Sequence, residues 1–185
     1  MLKKIGLGLV VILVAFLGYV STRNGNFHYE RSGVINAPAA KIFPYISDFR
    51  LGKQWSPYEK IDPNMKETLS GPIAQVGSVM EFDGNKDAGS GKLEILKIVP
   101  NEQVDIRLTM LKPFYGENQV TYKLTPEGTG TRFTWSMSGN GGFMGKLMSV
   151  LIDCEKMIGG QFSEGIANLK ALVEGQAAKA DATKK

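Results

Sequence analysis

The chain has one cysteine and one histidine among its 185 residues, Cys154 and His28. A single cysteine cannot form an internal disulfide bond, and these two residues cannot supply the ligands of a zinc site. His28 follows the N-terminal apolar segment closely, so we exclude a Ser-His-Asp or Cys-His catalytic unit. No glycine-rich phosphate loop follows a strand pattern and opens a helix. We therefore expect no metal and no cofactor.

The formal charge of +4 is unevenly distributed along the chain. Residues 27–174 contain 16 Lys/Arg and 17 Asp/Glu, a difference of −1, so the basic surplus lies in the two ends. Nucleic-acid binding needs a basic footprint on the folded domain, and no basic run interleaved with aromatic residues is present. The charge pattern therefore predicts no nucleic-acid partner.

Residues 5–20 form an uncharged apolar run that follows Lys3 and Lys4. A helix of this length spans about 24 Å, somewhat less than a ~30 Å hydrocarbon core, and flanking residues or local thinning of the bilayer can compensate. We interpret residues 1–22 as a transmembrane anchor that contacts the membrane through residues 5–20. The alternative is a cleaved signal peptide, although no clear small-x-small cleavage site follows the run.

The charges around the anchor predict its orientation. Lys3, Lys4 and the amino terminus precede the run, whereas Arg23 and Arg31 follow it more loosely. The positive-inside rule then places the N-terminus in the cytoplasm and the domain on the outer side, which in a bacterium is the periplasm. We expect a linker over 23–26, one domain over 27–174 and a disordered tail over 175–185.

The domain region shows strand patterns followed by a helical pattern. A strand over 27–35 and two short helical segments precede about six strands, whose separators are those of an antiparallel meander. Alternation in the later strands indicates a sheet that is covered on one face only. Apolar steps of three and four over 143–173 predict one long helix, with a bend or a close approach at Gly159 and Gly160. This order predicts an α+β fold.

The order resembles a helix-grip fold, in which a curved antiparallel sheet wraps around a long C-terminal helix. Short motifs occur in a fixed order along the domain: Ile35-Asn36-Ala37-Pro38-Ala39, Trp55-Ser56-Pro57-Tyr58, Asp62-Pro63-Asn64-Met65, Gly128-Thr129-Gly130-Thr131 with Trp135, and Phe162, Gly165 and Leu169-Lys170. In these motifs the sequence resembles the START-like (SRPBCC) superfamily, in its polyketide cyclase/dehydrase and lipid-transport branch. The resemblance implies a cavity between sheet and helix that accepts hydrophobic molecules, and no single chemistry.

Two sets of residues are candidates for that cavity. The first consists of apolar positions near the expected sheet–helix gap, for each of which ordinary core packing is the alternative. These are Trp55, Met80, Phe82, Met110, Phe114, Trp135, Met148, Leu151 and Phe162. The second set, much weaker, consists of Glu59 and Asp62 as acid and base beside Tyr58. We favour the simpler interpretation of Asp62, which is that it caps a turn before Pro63.

Three functions follow from these features. We favour a membrane-anchored, non-catalytic binding or carrier domain for a hydrophobic or amphipathic, lipid-like small molecule. The first alternative is a cyclase/dehydratase-type enzyme that uses the cavity carboxylates. The second is a structural accessory domain of the envelope with a filled core.

Overall fold

The alternating patterns of the domain region form one seven-stranded sheet in the structure, which is a computed structural model. It describes residues 2–182, except for the side chains of residues 2, 59 and 177–182. The strands are β1 (Asn26–Ile35), β2 (Lys66–Ser70), β3 (Val79–Asp83), β4 (Ser90–Val99), β5 (Gln103–Lys112), β6 (Gly116–Glu127) and β7 (Gly130–Asn140). The helices are α1 (Leu2–Ser21), α2 (Ala39–Ser47), a 3-10 helix (Phe49–Gln54), α3 (Tyr58–Ile61), α4 (Gly142–Leu151) and α5 (Cys154–Ala182).

The sheet is antiparallel throughout, in the order β1-β7-β6-β5-β4-β3-β2. Because side chains alternate between the two faces of a strand, Val104 and Ile106 of β5 both lie on the inner face and are fully buried. Helix α5 packs over β1 on that face, where Gly33 permits a close approach to Ile166. The predicted helix-grip α+β fold is confirmed.

The C-terminal helical region differs from the single helix that the sequence predicts. The chain breaks at Ile152, whose φ of −135° and ψ of 141° are extended, and a second helix begins at Cys154. Asp153 stabilises this restart because its Oδ1 accepts a hydrogen bond from the amide of Lys156 at 2.9 Å. Helix α5 then continues to Ala182, through residues 175–182 that we expected to belong to a disordered tail.

The glycine pair at 159 and 160 lies inside the continuous part of α5. A Cβ atom on Gly159 would lie only 2.2 Å from Nη2 of Arg31, whereas Gly160 has no neighbour within 4 Å. Of the two explanations that the sequence left open, the structure therefore shows the close approach at Gly159, and the helix break lies seven residues earlier, at Ile152.

Helix α1 is long and apolar enough to span a membrane, a test that a signal sequence also passes. Its side chains are exposed except near its C-terminal end, where Val20 is fully buried. Helix α4 packs against α1 there, and Nζ of Lys146 donates a hydrogen bond to the carbonyl oxygen of Ser21 at 2.9 Å. The domain therefore contacts the base of α1 directly.

Candidate functional site

Six aromatic side chains meet between the inner face of the sheet and α5. We call them the aromatic cluster: Trp55, Tyr58, Tyr122, Phe133, Trp135 and Phe162. Trp135 lies at its centre, stacked on Phe162 with 4.4 Å between ring centroids and 13° between ring planes. Trp55, Tyr58 and Tyr122 meet the Trp135 ring edge-on, the geometry that aromatic quadrupoles favour.

Strand alternation and one glycine assemble the cluster. Phe133 and Trp135 are two residues apart on β7, so both face inwards, and Trp135 is paired with Tyr122 of β6. From the other side, α5 approaches the Trp135 ring at Gly165. A Cβ atom there would lie 2.6 Å from Cζ3 of Trp135 and 3.0 Å from Cδ of Pro57. Glycine at position 165 thus lets α5 approach Trp135 without a shift of either element.

The two tryptophans of the cluster differ in their hydrogen bonding. Nε1 of Trp55 donates to the carbonyl oxygen of Tyr45 at 2.9 Å. Nε1 of Trp135 is buried and has no hydrogen-bond partner among the described residues, and the same holds for Oε1 of Gln161, which precedes Phe162 on α5. An unpaired buried polar group costs about 1–3 kcal/mol. Each is a buried polar group left without a partner in the described part of the chain.

The two tyrosines of the cluster remain neutral at physiological pH. Burial raises the pKa of the Tyr58 hydroxyl to about 12. The pKa of Tyr122 is also raised, first by burial and then by the charge of the nearby Tyr58. Tyr58 as a whole residue is 37% exposed, and its ring packs edge-on against Trp135. Both hydroxyls are therefore hydrogen-bonding groups and poor bases.

The sequence of the domain matches a known family model. Residues 26–174 match the family described as polyketide cyclase / dehydrase and lipid transport. The chain belongs to this family. The START-like resemblance that the sequence motifs indicate is thereby confirmed. A search of individual curated proteins found no match to the sequence.

Solved structures with the same fold share little sequence with this family member. Protein CV1439 from Chromobacterium violaceum is 19% identical, with a TM-score of 0.56 over 81% of this chain and 97% of that one. The Aha1 dimer from Colwellia psychrerythraea is 18% identical, with a TM-score of 0.56 over 80% and 96%. Ara h 8.0201 is 17% identical, with a TM-score of 0.56 over 82% and 99%. These similarities show the fold alone.

The structure brings three of the nine predicted cavity residues together in the aromatic cluster, namely Trp55, Trp135 and Phe162. Three others lie farther along the inner face of the same sheet. The register places Phe82 opposite Gly91, and Gly91 opposite Met110. Met80 is two residues before Phe82 on β3 and therefore faces the same side of the sheet. Phe82 occupies the space that a side chain at position 91 would need, because a Cβ atom on Gly91 would lie 2.8 Å from its Cζ.

The last three predicted cavity residues belong to the β5–β6 turn and to α4. Phe114 is exposed in the turn between β5 and β6, and Met148 is half-buried on α4. Leu151 is exposed and lines an open cleft of about 460 Å³ at the junction of α4 and α5, with Tyr29 on the opposite wall. A second open cleft, of about 480 Å³, lies between the 3-10 helix and α5 and reaches Trp55.

Asp62, a candidate acid or base, has a structural role. Its Oδ1 accepts from the amide of Asn64 at 3.0 Å, and its Oδ2 accepts from the amide of Asn85 at 2.6 Å. The buried carboxylate thereby ties the segment before β2 to the β3–β4 turn. The side chain of the other candidate, Glu59, lies outside the described ones.

The sequence analysis missed one buried carboxylate, Glu67. It is paired with Phe82 across β2 and β3, and its side chain is 9% exposed. Its Oε2 lies 3.0 Å from Nζ of Lys53, and its Oε1 has no hydrogen-bond partner in the described part of the chain. Tyr122, Phe133 and Gln161 were also not among the residues expected from the sequence. Tyr122 and Phe133 each had a sequence signal, because each alternates with apolar neighbours on one face of its strand.

Proposed function

We propose that this protein is a membrane-anchored, non-catalytic binding or carrier domain for an amphipathic, lipid-like small molecule. The observation that carries the proposal is the buried, unpaired indole N–H of Trp135 at the centre of the aromatic cluster. The family description, which includes lipid transport, supports the same class of ligand.

The groups of the cluster define the ligand chemistry. The rings offer apolar surface, worth roughly 25 cal/mol per Å² removed from water. The Trp135 N–H donates to a ligand oxygen, and Oε1 of Gln161 accepts from a ligand hydroxyl. A hydroxyl end of a molecule with a hydrocarbon body can pair with either group, and a carboxylate end can accept from the Trp135 N–H. Long-chain fatty acids and alcohols belong to this class.

The polar groups of the site favour binding over catalysis. Both oxygens of Asp62 accept hydrogen bonds from backbone amides, so this carboxylate is committed to holding a turn. Burial raises the pKa of Tyr58 to about 12, which keeps its hydroxyl protonated near neutral pH and makes it a weak acid there. Neither group has the environment that general acid–base catalysis near neutral pH requires.

The ligand proposal is tested by saturable binding of radiolabelled palmitate to the full-length protein in nanodiscs, with empty nanodiscs as the blank. Trp135→Phe keeps an aromatic ring and removes the unpaired donor. We expect it to weaken binding by roughly 5–10-fold, the equivalent of about one hydrogen bond. Trp55→Phe is the matched control, because its N–H already bonds the Tyr45 carbonyl, and we expect little change in affinity. Binding no higher than in empty nanodiscs would contradict the proposal.

The membrane part of the proposal is that α1 remains uncleaved, with its N-terminus in the cytoplasm and the domain in the periplasm. Membrane fractions washed with alkaline carbonate should retain a chain of full-length mass. A C-terminal alkaline phosphatase fusion should be active. A shortened, soluble chain would show that α1 is a signal sequence. An inactive fusion would show that the domain lies on the cytoplasmic side.

A further inference from the structure

Six large apolar side chains are exposed at one end of the domain, each between 42% and 70%. We call them the apolar rim: Leu111, Phe114, Tyr115, Phe143, Leu151 and Ile152. Single exposed apolar residues are common on protein surfaces. A group of them at one end of a domain is a mark of an interaction surface.

The strand register explains why Leu111, Phe114, Tyr115 and Phe143 share one end of the domain. Leu151 and Ile152 line a cleft together with Tyr29, three residues from the start of β1. Asn26 pairs with Asn140, Gly139 pairs with Asn118, and Met110 pairs with Gly116. The start of β1, the start of β6, the end of β5 and the end of β7 therefore form one edge of the sheet. The β5–β6 turn carries Phe114 and Tyr115 at this edge, and α4 emerges from it directly after β7.

Helix α1 reaches the domain at the same edge. The carbonyl oxygen of Gly25 accepts a hydrogen bond from the amide of Gly141 at 2.9 Å, just before α4. The Lys146 ammonium on α4 bonds the last residue of α1, Ser21, at 2.9 Å. Four residues, 22–25, separate α1 from β1, so the chain between them spans at most about 14 Å. The rim is thus continuous with the base of α1.

We propose that the apolar rim docks on the surface of the bilayer that α1 enters, so that the domain lies on the membrane with this end down. The inference rests on the proposal above that α1 is an uncleaved anchor. The composition of the rim fits an interface, because aromatic rings such as Phe114 and Tyr115 are favoured at headgroup depth. Lys112 follows Leu111 directly in the sequence, and a cation at this edge attracts anionic headgroups.

The opposite edge of the sheet supplies a matched control. Ile73 and Val76 lie in the connection between Ser70 of β2 and Val79 of β3, which pair with each other. They are 55% and 56% exposed, comparable to the rim residues. At the rim edge the same two strands pair Lys66 with Asp83 instead. The docked arrangement places residues 73 and 76 in water, although their side chains are equally apolar and equally exposed in the domain.

The experiment measures the depth of single nitroxide labels on the full-length protein in phosphatidylcholine/phosphatidylglycerol nanodiscs. Cys154 is the only cysteine, so Cys154→Ser gives a background without native thiols. Phe114→Cys, Tyr115→Cys and Leu151→Cys each place one label on the rim, and Ile73→Cys places one at the far edge. Oxygen concentrates in the bilayer, whereas a water-soluble nickel complex stays in water. We expect oxygen to relax the rim labels several-fold more strongly than the nickel complex does, and the nickel complex to relax the label at position 73 more strongly than oxygen does.

Two outcomes would overturn the inference, and they are distinguishable. Rim labels as accessible to nickel as the label at position 73, in a chain of full mass held in the nanodisc, would show an anchored domain that stands away from the bilayer. A chain that membranes retain only in shortened form, or not at all, would refute the anchor itself. Tryptophan emission from Trp55 and Trp135 checks that each labelled variant is folded. The labels lie on two different elements, the β5–β6 turn and the end of α4, so the test remains possible if a variant of one element fails to fold.

Discussion

Gly165→Ala tests whether α5 and Trp135 meet as closely as the structure shows. The added methyl group would lie 2.6 Å from Cζ3 of Trp135, and the indole ring cannot move freely because Phe162 is stacked on it. Overpacking of this kind costs about 1–3 kcal/mol. Replacing glycine by alanine inside a helix returns about 0.8–1 kcal/mol. We therefore expect a net destabilisation between about zero and 2 kcal/mol.

Gly160→Ala is the matched control on the same helix, since its added methyl group would meet no described atom within 4 Å apart from the surrounding backbone of α5 itself. Only the helix-propensity gain applies there, so we expect it to stabilise the protein by about 1 kcal/mol. The two variants should differ by about 1–3 kcal/mol, or roughly 2–12 °C in Tm. Thermal unfolding followed by tryptophan emission measures this difference. Equal stabilisation by both variants would refute the packing at Gly165.

Two further predictions concern the polar groups near the cluster. The pKa of Tyr58, about 12, lies above its ordinary value of 10.0, so its protonated form stabilises the fold below pH 10 and this contribution is lost as pH rises towards 12. Tyr58→Phe should flatten that alkaline decline in urea titrations, and an unchanged decline would contradict the burial of its hydroxyl. Asp62→Ala should lower stability by about 1–3 kcal/mol, because the amides of Asn64 and Asn85 lose their acceptors. Palmitate binding should persist in this variant. Loss of binding in a variant that is still folded would show that Asp62 belongs to the binding site.

The fold could be predicted from the sequence because its signals are local. Alternation such as that of Val104 and Ile106, with turn residues between the strands, was enough to predict the antiparallel sheet. The break at Ile152 was not predictable from the apolar stripe, because the spacing of Leu151, Cys154 and Ile158 continues across it. The restart after it is capped by Asp153, through a single hydrogen bond that hydrophobic periodicity does not register.

The site was less predictable than the fold. Large aromatic residues are natural candidates for an apolar site, and Trp55, Trp135 and Phe162 do contact one another through Trp135. The unpaired state of the Trp135 N–H is a property of the surrounding structure, and no sequence pattern reports it. Apolar character also does not distinguish an inner face from an outer surface. Phe114 and Leu151, which we expected to line the cavity, are exposed at the edge where α1 joins the domain.

The central claim is that the aromatic cluster binds an amphipathic molecule. The chain has two tryptophans, Trp55 and Trp135, and both belong to the cluster, so all tryptophan emission reports on this site. The most direct measurement is therefore titration of the full-length protein, in nanodiscs of ordinary lipid, with a stearate that is brominated on its chain and quenches tryptophan at short range. We predict saturable quenching that palmitate reverses. Emission that is unchanged, or that falls without saturation and does not respond to palmitate, would contradict the claim.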